Sequence, residues 1–280
     1  MNTPPAETRI ADALAWARKR IPPNEARLLL RHVCRCPDTR LAAWPEEILP
    51  AAQWEAFQRL IARRTEGEPV AYLTGEREFY GRSFLVTPAV LIPRPETELI
   101  VELAVAHFAA LPYSRVLDLG TGSGALAVTL ALELEHPKVT AVDASRSALS
   151  VASTNAIRLG TRVSFLWSDW YSALKREERF DLIVANPPYI AENDPHLIQG
   201  DLRFEPLVAL ASGKDGLRSI TAITAGAGRY LNDGGWLFIE HGYNQSATVR
   251  GLLADAGFAD ITSWQDLADI ERVSGGRWTG

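Results

Sequence analysis

The sequence is short of the features that would place a protein in a membrane, outside the cell or on nucleic acid. No apolar run approaches the ~18 residues of a membrane span; the best, from Leu99 to Leu111, is interrupted by Glu102 and His107. The start, Met1-Asn2-Thr3-Pro4-Pro5, lacks the charged-then-apolar pattern of a secretory signal. There is no excess of positive charge: 29 Lys and Arg stand against 34 Asp and Glu, a formal net charge of -5. That balance argues against non-specific nucleic-acid binding. Only two cysteines occur, Cys34 and Cys36. With His32 they could suggest a metal site, but the segment reads as helix, where residues two apart do not share a face. They are expected to be packing cysteines, and no metal site is expected. Internal repeats and low-complexity tracts are absent. What remains is 280 residues, 47% hydrophobic and 22% charged, enough for one large or two ordinary cored domains. The expectation is a cytoplasmic protein.

Residues 1–67 read as a small bundle of three helices. Thr3 before Pro4 is a plausible start, and Ile10, Ala13, Leu14, Ala17 and Ile21 recur at helical spacing. Pro22-Pro23 break this helix, and Asn24 is placed to cap a second, with Ala26, Leu29, Leu30 and Val33 apolar. A third carries Trp54, Phe57, Leu60 and Ile61 and ends near Gly67. Residues 68–95 form a connector. Within it, Glu78 to Val86 reads as two short strands about Gly81, a hairpin that would hold the flanking domains at a fixed angle. Pro95 then opens a helix through Leu99, Ile100, Leu103, Ala104 and His107.

Residues 96–280 alternate strand and helix, the pattern of an open, mostly parallel α/β sheet. Strands are expected at Val116–Leu119, Val139–Val142, Val163–Leu166, Phe180–Ala185 and Gly235–Ile239, with a strand-rich end from Phe258. Helices are expected from Ala125 to about Leu134, around Ala148 to Ala156, and from Leu217 to Leu231. The stretch from Ala191 to Gly216 is polar, long and without period; such loops are usually functional or mobile.

Two stretches carry the chemistry. The first is Gly120-Thr121-Gly122-Ser123-Gly124, directly after a strand. Glycine there lets the backbone approach a ligand closely. Asp143 ends the next strand about 20 residues on, where a carboxylate can bind the hydroxyls of an adenosine ribose. The second is Asn186-Pro187-Pro188-Tyr189, at the carboxyl end of a buried strand. The prolines stiffen the turn, and Pro187 keeps Asn186 out of the helical region. A carboxamide and bare carbonyls, backed by an aromatic ring, would then face a crevice and accept hydrogen bonds from an NH2 group. The plain alternative is a strand-ending turn.

The glycine spacing is G-x-G-x-G, not the dinucleotide G-x-G-x-x-G, and Asp118 precedes it in Val-Leu-Asp-Leu-Gly. This resembles the first motif of the S-adenosylmethionine-dependent methyltransferases with a Rossmann-like sheet. The resemblance implies that Asp118 lies near the methionine part of the cofactor, that Gly120, Thr121, Gly122, Ser123 and Gly124 bind it, and that Asp143 holds the ribose. It also places Trp170, after Asp169, beside the adenine. The Asn186-Pro187-Pro188-Tyr189 stretch resembles the motif of enzymes that methylate planar NH2 groups. There Asn186 and Pro187 would each accept one N–H and Tyr189 would pack on the flat group, with Asn186 also near the cofactor.

The match widens outside these motifs. Gly75 to Gly81, Phe84-Leu85-Val86, Leu91 to Glu98, Arg203-Phe204-Glu205-Pro206 and Glu240-His241-Gly242 are similar to the peptide chain release factor glutamine N5-methyltransferases. The resemblance covers nearly the whole chain, least specifically residues 1–60. It implies a seven-stranded Rossmann-like domain behind an N-terminal bundle for substrate docking, S-adenosylmethionine as cofactor, and the glutamine of a release factor's Gly-Gly-Gln loop as substrate. Glu240-His241-Gly242 is expected to be structural, ending a strand beside the site. A monomer is expected, without direct nucleic-acid or membrane partners. The rival readings are an adenine-N6 methyltransferase acting on nucleic acid, which shares the Asn-Pro-Pro-Tyr logic, and a binding module that keeps the fold without the chemistry.

Overall fold

A computed structural model describes residues 8–108 and 111–280; the helix start expected at Thr3-Pro4 lies outside them. The chain divides into two compact units after Gly75, which takes a left-handed φ of 75°.

The first unit is helical, with a minimal two-stranded pairing. Its elements are β1 (Thr8–Arg9), α1 (Ile10–Ala17), α2 (Pro23–Cys34), α3 (Asp38–Ala43), β2 (Ile48–Leu49), α4 (Ala51–Thr65) and α5 (Val70–Thr74). The expected stripes are its core: Ile10, Ala13, Leu14, Leu29, Leu30, Trp54, Phe57 and Ile61 are buried together. Among the described residues five helices form, not three. α3 and α5 span six and five residues, too short for an apolar stripe to run through several turns. Asn24 is not a cap: α2 already starts at Pro23, whose missing N–H costs nothing in a first turn. Cys34 is the last residue of α2, and Arg35 is left-handed, so the chain turns back there. Burial, with Cys36 close by, pushes the Cys34 thiol up to about 11.

The second unit opens with the hairpin β3 (Glu76–Phe79) and β4 (Arg82–Leu85). Its turn residues Tyr80 and Gly81 have φ of 50° and 71°. Two successive positive values suit the twist of a two-residue hairpin. Phe79 and Phe84 are buried in the core of this unit with Ile100, Val128 and Leu130. A 3-10 turn, Pro95–Thr97, then leads into α6 (Glu98–Phe108).

The sheet follows: β5 (Arg115–Leu119), α7 (Ala125–Glu133), β6 (Lys138–Asp143), α8 (Arg146–Arg158), β7 (Ser164–Trp167), β8 (Phe180–Ala185), α9 (Arg218–Ala227), β9 (Leu231–Glu240), α10 (Ser246–Asp255), β10 (Ala259–Gln265) and β11 (Glu271–Arg277). Seven strands lie in the order β10-β11-β9-β8-β5-β6-β7. The five from β9 to β7 are parallel, and β11 runs antiparallel between β9 and the edge strand β10. This is the Rossmann-like methyltransferase sheet. α9 is shorter than the expected 217–231, because Leu231 already pairs with Phe180.

Alternation along the strands sorts the core into two faces. Val116, Leu182, Val184 and Phe238 pack with α6 and α7. Leu117, Ile183, Ala185, Leu237 and Ile239 pack with α9 and α10. Chain order reverses between β5 and β8, so the crevice beyond their carboxyl ends is a switch point, where such sheets place ligands.

Candidate active site

Register brings the two sequence motifs together. Leu119 pairs with Val142 on one side and Ala185 on the other, so Gly120 and Asn186 leave neighbouring strands at one level. Ala185 pairs in turn with Ile239, which sets Glu240 level with Asn186. Parity does the rest. Asp118, Asn186 and Glu240 each follow by two a residue packed on the α6 face (Val116, Val184 and Phe238). All three therefore point toward the 3-10 turn and α6.

A cleft of about 820 Å³ opens there, within the size range of small-molecule sites. Gly120, Thr121, Gly122, Ser123, Asp143, Trp170, Asn186 and Pro188 line it. Gly124 does not. It has φ of 82°, and a Cβ on it would come within 3.0 Å of the Ala152 Cβ, so it is needed for α7 to pass α8. Pro187 and Tyr189 line a smaller recess of about 60 Å³ with Asn186 and Pro188. Sequence reasoning missed Ala89, Val90 and Leu91, Thr97, and Leu207 and Val208, which complete the cleft wall.

The glycine loop is tied down by two carboxylates. Asp143 Oδ2 accepts the Gly122 N–H at 2.9 Å and Oδ1 the Ser145 N–H at 2.8 Å. Burial raises its pKa against the pull of these two donors. Asp118 is 1% exposed. Its Oδ2 accepts from the Thr121 hydroxyl at 2.6 Å, its Oδ1 makes no close hydrogen bond among the described residues, and the Ala127 N–H also favours the charged carboxylate. Burial pushes the Asp118 carboxyl up to about 7. An orphaned buried acceptor on a cleft wall fits a ligand that brings a cationic donor. Trp170 holds a left-handed φ of 46°, and its ring lies 3.3 Å from where a Gly120 Cβ would stand.

At the other wall, Asn186 Nδ2 donates to Thr97 Oγ1 at 2.9 Å. The Thr97 hydroxyl donates to Glu240 Oε2 at 2.6 Å, and the Tyr189 hydroxyl to Glu240 Oε1 at 3.2 Å. Burial, with Glu240 beside it, raises the Tyr189 pKa well above the ordinary tyrosine value. The backbone of the turn is clamped as well. Gln245 Nε2 donates to the Tyr189 carbonyl at 3.0 Å, and Gly216 lies so close that a Cβ would sit 2.2 Å from that oxygen. The segment from Ala191 to Gly216 is three 3-10 turns at Pro195–Ile198, Leu202–Phe204 and Leu207–Ala209. It is pinned across the cleft: the buried Glu205 carboxylate accepts the Ile92 N–H at 3.0 Å and pairs with Arg94.

The chain matches two family models, the PrmC N-terminal domain over residues 6–75 and the methyltransferase small domain over residues 97–200. A release factor glutamine methyltransferase of Burkholderia pseudomallei is 52% identical, over 91% of this chain and 92% of its own. The chain belongs to the release factor glutamine methyltransferases. The Escherichia coli member is 44% identical, over 92% of each chain. Among solved structures, the T. thermophilus 16S rRNA N2 G1207 methyltransferase, in complex with AdoMet and guanosine, shares the fold at a TM-score of 0.55. It is 22% identical, over 72% of this chain and 49% of its own. The same fold thus serves other substrates, and what sets the family member apart must come from its own site residues.

Proposed function

We propose that the wall formed by Asn186, Pro187 and Tyr189 presents a side-chain amide for methylation, and that the wall formed by the glycine loop, Asp118, Asp143 and Trp170 holds the methyl donor. The enzyme transfers a methyl group from S-adenosylmethionine to the amide nitrogen of the glutamine in the Gly-Gly-Gln loop of release factors. When bound, S-adenosylmethionine supplies an electrophilic methyl group on a positively charged sulfur. The residues of the cleft suit it. Asp118 offers its unpartnered oxygen to the ammonium of the methionine part. Asp143 keeps lone pairs for the ribose hydroxyls, and Trp170 gives the adenine a flat face. Gly120 and Gly122 let the backbone close on the ligand.

An amide nitrogen is a poor nucleophile, because its lone pair is delocalised into the carbonyl. Asn186 Oδ1 and the Pro187 carbonyl each accept one of its N–H groups and hold the nitrogen toward the methyl group. Positive charge grows on that nitrogen as the N–C bond forms, and the two oxygens stabilise it. The amide then loses one proton to solvent. The single observation that carries this reading is the placement of Asn186 in the same cleft as the glycine loop, with its Nδ2 turned to Thr97 so that its oxygen lies on the other branch of the amide. The enzyme is expected to act in the cytoplasm as a monomer; among the described residues no helix is long and apolar enough to cross a membrane.

The test is mass spectrometry of intact release factor after incubation with enzyme and S-adenosylmethionine. One added methyl on the Gly-Gly-Gln glutamine is expected. Asn186→Ala should lower the single-turnover rate by roughly 10²–10³ at saturating cofactor, as loss of one preorganised transition-state partner does. Methylation of adenine in duplex DNA, with release factor untouched, would move the assignment to the nucleic-acid reading.

A further inference from the structure

We propose that Thr97 and Glu240 act as a positioning pair that fixes which way the Asn186 carboxamide faces. The inference rests on the role of Asn186 proposed above and adds two residues to it. A carboxamide is nearly symmetric in shape, yet its two ends are opposite in chemistry: one accepts and the other donates. If Asn186 turned by half a rotation, an NH2 group would meet the substrate NH2 group, and the site would repel what it has to hold. Something must choose between the two states.

The choice begins at Glu240. An ionised carboxylate can only accept. It is 1% exposed and takes the Thr97 hydroxyl proton at 2.6 Å and the Tyr189 hydroxyl proton at 3.2 Å. With its proton committed to Glu240, Thr97 Oγ1 has only lone pairs left to offer. At 2.9 Å it can therefore receive Asn186 Nδ2 but not face Asn186 Oδ1. Polarity passes from carboxylate to hydroxyl to amide, and only one orientation of Asn186 satisfies the chain. The three residues come from the 3-10 turn before α6, the turn after β8 and the end of β9, and strand parity puts Asn186 and Glu240 on the face that meets the turn carrying Thr97. Arg272 and Glu96 also act on the Glu240 carboxyl, yet burial dominates and pushes it up to about 7, so the chain holds this polarity above that pH, where the carboxyl is ionised and only accepts. A buried carboxylate held by hydroxyl donors works against stability; an apolar side chain at 240 would be easier to fold around. Such a group persists where its acceptor character is needed.

The test separates Thr97→Val, which keeps the shape and removes the hydroxyl, from Thr97→Ser, which keeps the hydroxyl. Thr97→Val should slow single-turnover methylation of release factor about ten- to a hundredfold, with cofactor affinity by calorimetry within about twofold of wild type. Thr97→Ala, smaller and free of crowding, should lose as much. Thr97→Ser should return to within about threefold of wild type. A second readout does not depend on turnover: in 15N-labelled enzyme the Asn186 side-chain amide protons should exchange slowly in wild type and Thr97→Ser and fast in Thr97→Val. Normal rates in Thr97→Val, equal losses in Thr97→Ser and Thr97→Val, or unchanged amide exchange would each overturn the pair. A wild-type enzyme that fails to methylate release factor sinks the proposed function instead, while the exchange comparison still decides the pair.

Discussion

Asp118 shows what single residues give up to make this cleft. Its folded-state pKa of about 7 lies above the ordinary 3.8, so the folded chain holds this proton more tightly than the unfolded chain. The ligand-free enzyme is then least penalised below pH ~4, loses stability as pH rises from about 4 to about 7, and stays penalised above that. The gap corresponds to something on the order of 4 kcal/mol at pH 8. Asp118→Asn should therefore raise the melting temperature of the ligand-free enzyme at pH 8, do little at pH 4, and weaken S-adenosylmethionine binding. Calorimetric melts at the two pH values decide this; a gain of equal size at both would mean the carboxylate is not the cause. Asp143 differs, because it also ties down the loop through Gly122 and Ser145. Asp143→Ala should weaken cofactor roughly ten- to a hundredfold, read by titration calorimetry, and unchanged affinity would remove it from the ribose site. That Asp143, Asn186, Gly120 and Gly122 share one cleft was legible from type and spacing; that Gly124 serves the passage of α7 by α8 was not. Thr97 was not: a threonine in Pro-Glu-Thr-Glu announces nothing, and its role depends on the register of β8 and β9. Glu240 was legible as the structural end of a strand, but not as the terminus of a hydrogen-bond chain.

Among elements, the turn after β8 is held more tightly than its two prolines alone could manage. Gly216 passes within a methyl's width of the Tyr189 carbonyl, at φ of 79°, and no side chain fits between. Gly216→Ala must push the turn or the strap aside. Turnover should fall more than tenfold while cofactor affinity, proposed to be set by the other wall, changes little. Equal loss of both would show that the two walls move as one. The strands and most helices of this unit could be read from periodicity, since each buries a face through several repeats. The segment from 191 to 216 could not. Its 3-10 turns are three or four residues long, too short for any stripe, and its anchors are single contacts: the backbone of Ile190 with Leu210 and Ser212, and the buried Glu205 carboxylate, paired with Arg94 at 111 positions' remove. Glu205→Ala should free this strap, raising the KM for release factor more than it lowers the rate at saturation. A change confined to the saturated rate would argue that the strap is part of the chemistry and not of substrate capture.

At the scale of the whole molecule, every residue lining the cleft lies between Ala89 and Ala222, within the second unit. The first unit is then free to serve recognition: a glutamine on a flexible loop is a small target, and selectivity has to come from contacts away from the reacting amide. Removing residues 1–75 should reduce methylation of intact release factor strongly and the slow reaction of a short Gly-Gly-Gln peptide much less. Both rates are measured after checking that the truncated chain binds cofactor; equal losses would make the first unit a support for the fold. Helix-only spacing gives way to strand and helix along the sequence, and the chain divides after Gly75. Five helices in the first unit were not legible, because α3 and α5 are single turns and a half. If Asn186 and Pro187 hold the substrate as proposed, the arrangement has one more effect, on how many times the reaction can happen. Two acceptors facing a substrate NH2 group demand two protons. The methylated side chain has one, so the product leaves an oxygen unsatisfied, binds less well than what it came from, and presents no second N–H to be held. The geometry that admits the glutamine also counts to one and lets go.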